Sequence, residues 1–532
     1  MMSESACNLP PQNRPKRDTL APNSYMPEII LSTLNARYLH AAFGLRYLMA
    51  NLGPLASRAA ILEFDINQRP LDIAEIILAR QPRILGLGVY IWNADASEQL
   101  VAILKRARPD LLIVLGGPEV SHETGAQPIC SLADYVIQGE ADLAFADLCS
   151  QLLLDQRPRD KIIAAPLPDL SRVVMPYDLY DEADIAHRVV YVEASRGCPF
   201  SCEFCLSSLD IPVRNFPTHA FLAAMQRLLD RGLLRFKFVD RTFNLNLSIG
   251  RSILQFFLDR YRPGLFLHFE MIPDRLPESL RDPIAKFPAG ALQFEVGIQT
   301  FNESVATRVG RKQDNARVAE NLHFLRTGTG VHVHADLIAG LPGEDLPSLA
   351  AGFDRLIALG PREIQLGLLK RLRGTPIVRH DQTYSMVYTP HAPYEILSTS
   401  TIDFPTMRRL SRFSRYWDMI ANSGRFPRAA PLIWADASPF ASFLALSDWL
   451  QEKFHRAHSI ALPALATALF EYLTTVAHRD RTQVIEFMSA DLATVRGGLP
   501  DFLTSQTPRR AVSSKPAIQL PPRQSRHLAA EQ

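Results

Sequence analysis

The sequence has little cysteine, almost no net charge and no long apolar run. Only six of its 532 residues are cysteine, too few to staple a chain of this size with disulfides. Lys plus Arg number 57 against 55 Asp plus Glu, a formal net charge of +2. That balance gives no electrostatic basis for bulk binding to nucleic acid or to an anionic membrane surface. No apolar run approaches the ~18 residues of a membrane-spanning helix. The longest, Leu462 to Tyr472, is interrupted by Pro463 and Glu471 and reads as a core helix. The N-terminus, MMSESACNLPPQNRPKRDTL, lacks the apolar segment of a secretory signal, and no internal repeat of fixed period occurs. Disulfide-framework, fibrous and wholly disordered classes are excluded. With 47% hydrophobic and 21% charged residues, the chain has material for more than one core. Its expected place is the cytoplasm.

What the sequence does contain is alternation. Residues 1–25 are polar and proline-rich, and 504–532 are rich in Pro, Arg, Ser and Gln; both read as disordered ends. Between Glu28 and Leu154 the runs EIILSTL, AAILEFD, ILGLGVYI, LLIVLGG and YVIQG alternate with amphipathic stretches. Near-continuous apolar strands separated by helices predict a doubly wound parallel sheet over residues 26–160, with ligands beyond the strands' carboxyl ends. After a proline-rich linker (161–184), six further βα units run through 185–378, from VVYVEAS to EIQLGLLK. They predict a partial or complete βα barrel with its chemistry at the strands' C-terminal ends. Residues 379–503 read as mainly helical. The expected class is therefore α/β with a helical C-terminal region.

Three of the six cysteines fall within eight residues, Cys198, Cys202 and Cys205, in the segment RGCPFSCEFC. The C-x3-C-x2-C spacing places three thiolates on one loop just past the first barrel strand. Three soft donors suit an iron–sulfur cluster or a soft metal. Structural zinc normally takes four protein ligands, and no fourth Cys or His lies in the loop. A cubane held by three cysteines keeps one iron open.

This spacing, with an aromatic residue before the third cysteine, resembles the radical S-adenosylmethionine (SAM) superfamily. The resemblance implies a [4Fe–4S] cluster on Cys198, Cys202 and Cys205, SAM on the open iron, and a 5′-deoxyadenosyl radical formed by reductive cleavage. It implies SAM contacts from Phe204, from Glu295 and Gln299 in EVGIQT, and from Gly340 and Pro342 in DLIAGLPGE. At the second strand's end, VDRTFN departs from the glycine- and glutamate-containing motif usual there. Asp240 is the candidate for the missing carboxylate or for a catalytic role. Glu270 is a candidate of the same kind, and Glu270 and Asp274 are equally readable as a structural ion pair with Arg275.

The N-terminal unit resembles the cobalamin-binding domain that precedes the barrel in one large subgroup, on the segments LGGPEVS and VIQGEA. Gly116, Gly117, Gly139 and Glu140 are the residues it places against cobalamin. Ordinary βα-turn chemistry is the competing reading. The D-x-H-x-x-G motif that supplies a histidine to cobalt is absent, and His40 reads as a packing or capping residue. KRLRGTP, YTPHAPYEIL and NSGRF resemble the subgroup whose uncharacterised C-terminal domain is of the DUF4080 type. Together these imply an enzyme acting on a small-molecule substrate by cobalamin-assisted methyl transfer or oxidative cyclisation, with a flavodoxin or ferredoxin as electron donor and no nucleic-acid partner. Two alternatives stand beside it. One is a non-catalytic iron–sulfur or zinc sensor; the other, a tRNA methylthiotransferase, is disfavoured by the lack of a second three-cysteine site.

Overall fold

The computed structural model describes residues 26–37, 40–209, 212–435, 437–493 and 521–529. The N-terminal unit is a parallel sheet of β1 (Ile29–Asn35), β2 (Ala59–Asp65), β3 (Ile84–Gly88), β4 (Leu112–Gly116), β5 (Tyr135–Gln138) and β6 (Ile162–Ala164), in the order β2-β1-β3-β4-β5-β6. All seven residues of β1 are buried, as befits a strand with neighbours on both edges and helices on both faces. The helix Ala94–Ala107 buries Ser97, Leu100, Val101 and Leu104, one stripe at helical spacing. β6 lies in the stretch read above as linker. Three residues, Ile162–Ala164, pair with Val136–Gln138, too short a run between prolines to stand out from the sequence.

The second sheet contains β7 (Val190–Val192), β10 (Arg235–Phe238), β11 (Phe266–Met271), β12 (Leu292–Gln299), β13 (His332–Ala339) and β14 (Glu363–Leu368). Its order is β14-β13-β12-β11-β10-β7, all parallel. β14 does not pair with β7, so the barrel is partial. Between β7 and β10 a small antiparallel pair, β8 (Ser195–Arg196) and β9 (Arg214–Asn215), brackets the cysteine loop. A second hairpin, β15 (Val387–Tyr388) and β16 (Ile396–Ser398), leads into the C-terminal helices.

Strand periodicity sorts the barrel's two faces. Outward, Phe236 and Phe238 pack against Phe257, with Phe269 stacked on Phe238. Inward, the lumen is polar. His268 bonds Glu295 at 3.1 Å, His332 bonds Glu363 at 2.8 Å, and His334 lies 3.2 Å from Asp336. Part of the tail expected to be disordered corrects that reading: Pro522–Ala529 is a helix closing the lumen at the strands' N-terminal ends. Arg523 pairs with Glu363 at 3.2 Å, and Gln524 donates to Gln293 at 2.6 Å. A polar, low-hydropathy segment acquires structure because the lumen floor offers it charged partners. The donor atoms of His332, Glu363 and His527 lie within 4.8 Å of one another. They are already spent, however: His332 on Glu363, and His527 on the Asn422 carbonyl at 2.9 Å. Among the described residues no helix is long and apolar enough to cross a membrane.

Candidate functional site

The cysteine loop leaves β8 and carries Cys202 buried, with Cys198 and Cys205 half-buried; none is in a disulfide. Glu203, between two of the cysteines, pins the loop on four sides. Its amide donates to the Val309 carbonyl at 3.0 Å, and its carbonyl accepts from Ile377 N at 3.0 Å. Its buried carboxylate takes His380 Nε2 at 2.7 Å and the Arg379 guanidinium. Gly310 has φ +68°, and a Cβ there would fall 2.5 Å from the Ser201 carbonyl oxygen, so a bare backbone is what lets the loop seat. Arg311 reaches within 3.8 Å of Cys202 Sγ and also bonds the Gly297 carbonyl. Three free thiols on one anchored loop, beside a guanidinium, fit a cluster that needs thiolate ligands.

Mutating such supporting partners typically costs 10- to 100-fold in metal affinity. His380→Gln, which removes a bond to the carboxylate but keeps similar volume, is therefore expected to lower cluster retention about 10-fold or more. Bound iron after anaerobic gel filtration is the readout; unchanged iron with unchanged fold would discount the anchor.

Strand alternation decides which predicted residues face the site. Arg241 and Val239 line a cavity of about 220 Å³ with Glu140, Glu193, Arg196 and Gly197. Arg241 donates to both oxygens of Glu270 at 2.8 Å. Glu270 is therefore on the lumen face, and of its two readings the ion pair with Arg275 is the one that does not form. Asp274 instead accepts from Asp314 N at 3.0 Å, and the Arg275 guanidinium lies 5.6 Å over the Phe200 ring. Asp240 points the other way, toward the helices, into a separate cavity of about 430 Å³ with Phe238, Asn246 and Ile253. Its oxygens accept from Ala194 N at 3.0 and 3.1 Å and from the Ser195 hydroxyl at 2.6 Å. Burial pushes its carboxyl up to about 6 against those bonds. The structure makes Asp240 a tie between β10 and the root of the cysteine loop, turned away from the lumen.

The other candidates divide. Phe204 is buried in the barrel core. Glu295 is paired to His268 inside the lumen. Gln299 ends β12 at a register break with φ +69°, and its buried Oε1 has no hydrogen-bond partner among the described residues. A strained, unsatisfied polar group at a strand end suits a ligand with hydrogen-bond donors. Gly340, at φ +90°, is packed against the next region: a Cβ would meet Ile396 at 2.7 Å. The Pro342 carbonyl accepts from Arg308 at 2.6 Å.

Two residues on, the Glu344 carboxyl is buried, with Oε1 accepting from Thr300 at 2.6 Å and Oε2 unpartnered among the described residues. Burial pushes it up to about 7, against the lowering bonds from Thr300 and Ser348. The folded value lies above the ordinary 4.5, so the folded state holds this proton more tightly. The associated stability is fully present below the unfolded value and lost as pH rises through the folded one. Thermal unfolding of the native chain is thus expected to fall between about pH 4.5 and 7 relative to Glu344→Gln. Parallel profiles for the two proteins would remove that assignment.

At the facing edge of the N-terminal sheet, Gly117 has φ +106°, and a Cβ would meet the Val89 carbonyl at 2.4 Å, whereas Gly116 and Gly139 have open space or ordinary contacts around them. The acidic residues after both glycine turns are directed at barrel cations. Arg196 binds Glu140 at 2.7 Å, Asp142 at 2.8 Å and Glu193 at 2.8 Å, and Arg214 also pairs with Glu140. Glu119 takes Arg373 at 2.7 Å and the Tyr394 hydroxyl at 2.8 Å. His40 bonds the Tyr191 hydroxyl and is held down to about 4 by burial and nearby cations, consistent with packing. Arg241, Arg311 and the Glu203–His380 pair were not found from the sequence. Their partners lie tens to hundreds of residues away, and no local pattern marks them.

Three family models match in order: the B12 binding domain over residues 30–149, the radical SAM superfamily over 192–351, and a protein of unknown function (DUF4080) over 382–519. The chain is 23% identical over 320 residues to 2-(S-pantetheinyl)-carbapenam-3-carboxylate methyltransferase of Streptantibioticus cattleyicolor, covering 53% of this chain and 46% of that one. It is 29% identical over 152 residues to the cobalamin-dependent radical SAM methyltransferase TokK of Streptomyces tokunonensis, covering 24% and 22%. The chain spans less than half the length of these curated relatives. The fold is similar to that of the radical SAM methyltransferase TsrM from Kitasatospora setae, solved with cobalamin and a [4Fe–4S] cluster (TM-score 0.56, 16% identity, 69% of this chain and 76% of that one). With the three-cysteine loop at the barrel mouth and a B12 binding domain facing it, the chain belongs to the radical SAM superfamily, in the group that joins a B12 binding domain, a radical SAM domain and a DUF4080 domain.

Proposed function

We propose that this chain is a cobalamin-dependent radical SAM enzyme that transfers a methyl group to an unactivated carbon of a small-molecule substrate. The observation that supports it most is the apposition at one cavity of the cysteine loop's root, Gly197, with Glu140 of the glycine-turn edge of the N-terminal sheet. When bound, a [4Fe–4S] cluster with SAM supplies a carbon radical able to remove a hydrogen atom, and cobalamin supplies the methyl group. The chain's own residues hold and orient. Cys198, Cys202 and Cys205 ligate; Phe204, Glu295, Gln299, Gly340 and Pro342 form the SAM side, with Arg311 beside Cys202. Gly116, Gly117 and Gly139 form the cobalamin side. Glu140, spent on Arg196 and Arg214, fixes the distance between the two. Glu270 with Arg241 faces substrate. Domain limits at 184 and 378, with the first limit moved from 160 to beyond Ala164 because β6 joins the N-terminal sheet, a flavodoxin or ferredoxin as reductant, and a cytoplasmic setting that keeps the thiols reduced belong to the same proposal.

The test is anaerobic reconstitution with iron and sulfide, then reduction with SAM while 5′-deoxyadenosine is assayed, with hydroxocobalamin retention followed by absorbance after gel filtration. Deoxyadenosine together with retained corrin is the expected result. Deoxyadenosine without corrin would favour oxidative cyclisation, and a loaded cluster that leaves SAM intact would favour a sensor.

A further inference from the structure

The cluster-bearing loop reaches the molecular surface at one turn. Pro199 and Ser201 are exposed and Phe200 is half-buried, while the next residue, the ligand Cys202, is buried. Three cations belong to segments that meet that loop: Arg275 and Arg379 touch it directly, and Lys312 follows two residues that do. Arg275 is exposed and lies over Phe200; among the described residues no ion pair engages it. Lys312 is exposed and equally unengaged, next to Arg311 and two residues beyond the glycine on which Ser201 rests. Arg379 pairs with Glu203, yet 62% of its side chain stays exposed. Val378, 43% exposed, adds an apolar element beside Arg379. Asp274, Asp314 and Glu203 lower this charge without cancelling it: Asp314 faces Arg317 at 3.5 Å, Glu203 takes Arg379, and with Arg311 beside Cys202 the cations of the area outnumber its carboxylates.

We propose that the turn Pro199–Ser201, with Arg275, Lys312 and Arg379 around it, is the docking surface for a small acidic one-electron carrier protein that reduces the cluster. This rests on the function proposed above. A small apolar centre inside a rim with a surplus of one sign suits transient redox partners: little area is buried, and charge does the steering. The step moves one electron. The reduced centre of the carrier is oxidised by one electron, the cluster on Cys198, Cys202 and Cys205 is reduced by one, and no bond forms or breaks. The exposed turn brings the carrier within one residue of the ligands Cys198 and Cys202.

The test uses the full chain with its cluster loaded, comparing the native protein, Lys312→Glu and Arg275→Glu/Lys312→Glu. Cluster bleaching is followed by stopped flow with reduced flavodoxin at low and high salt, and separately with titanium(III) citrate. Charge reversal at both positions is expected to slow reduction by flavodoxin about 10-fold or more at low salt, with the two proteins converging as salt screens the rim. Lys312→Glu alone is expected to fall between them. Equal rates with titanium(III) citrate would show that the cluster and fold are intact. Equal rates with flavodoxin, or a native rate indifferent to salt, would overturn the docking surface and leave the proposed function standing. A native chain that takes up no cluster would overturn both.

Discussion

Cys202→Ala is expected to abolish reductive SAM cleavage: 5′-deoxyadenosine falls to the background of the assay, and the reconstituted protein holds little iron. The reason lies in the number of donors. Among the described residues only three thiols approach the site, and the loop has no fourth Cys or His to take the vacated place. Cys202 is also the buried one, whose sulfur faces Arg311. Losing a supporting partner alone commonly costs 10- to 100-fold in affinity, so loss of a ligand should exceed about 100-fold. Circular dichroism separates this from unfolding, since a single buried thiol replaced by alanine leaves the barrel strands untouched. Deoxyadenosine formation close to the native rate would show that the three-cysteine loop is not the cluster site.

The second large effect belongs to Arg196, which joins the N-terminal sheet to the barrel. Its guanidinium satisfies Glu140, Asp142 and Glu193 and lies 4.6 Å over the Tyr47 ring. All four charged side chains are at most 18% exposed. Arg196→Met keeps the apolar stem and removes the charge, leaving Asp142 and Glu193 without their cation while Glu140 keeps Arg214. Breaking a buried pair in this way costs about 3–5 kcal/mol. Burial pushes Glu193 up to about 7 even with Arg196 working against it. Without Arg196 that residue should take a proton, which relieves part of the cost. The expected result is a first thermal transition lowered on the order of 10 °C and faster proteolysis between the two units. Adding Asp142→Asn should recover part of the loss, because one uncompensated charge goes with it. A thermal profile like that of the native chain would mean the junction is held elsewhere.

Much of the architecture is legible from the sequence because its elements obey one-dimensional rules. Runs such as LQFEVGIQ and AAILEFD become strands over the same residues, since an apolar run between turn residues has few other ways to be buried. The cysteine spacing is legible because ligand geometry is local. What fails is whatever depends on register or on distant pairing. Asp240 and Arg241 are neighbours in sequence, yet the extended chain running on from β10 turns them to opposite faces, and nothing in VDRTFN says which faces the lumen. Glu270 finds Arg241 rather than Arg275 because the two strand ends adjoin on the inward face. Glu203 and His380 are 177 residues apart. Ile162–Ala164 becomes a strand only because β5 offers an unpaired edge.

One contact between the first loop of the N-terminal sheet and the barrel bears on how the molecule came to be a single chain. β7 is the last strand of an open sheet, and its outer edge is covered near the start: His40 bridges to Val189, and the His40 carbonyl accepts from Arg188 at 2.6 Å. An uncovered strand edge is a template for pairing with other molecules. Here the cover is made about 150 residues earlier in the chain, so it is in place when β7 leaves the ribosome. The barrel is in this sense an incomplete fold lent an edge by its neighbour. Recombination that exchanged the corrin-type domain for an unrelated one would also strip the barrel of its guard against aggregation. The first unit thus guards an edge of the second as well as facing its site.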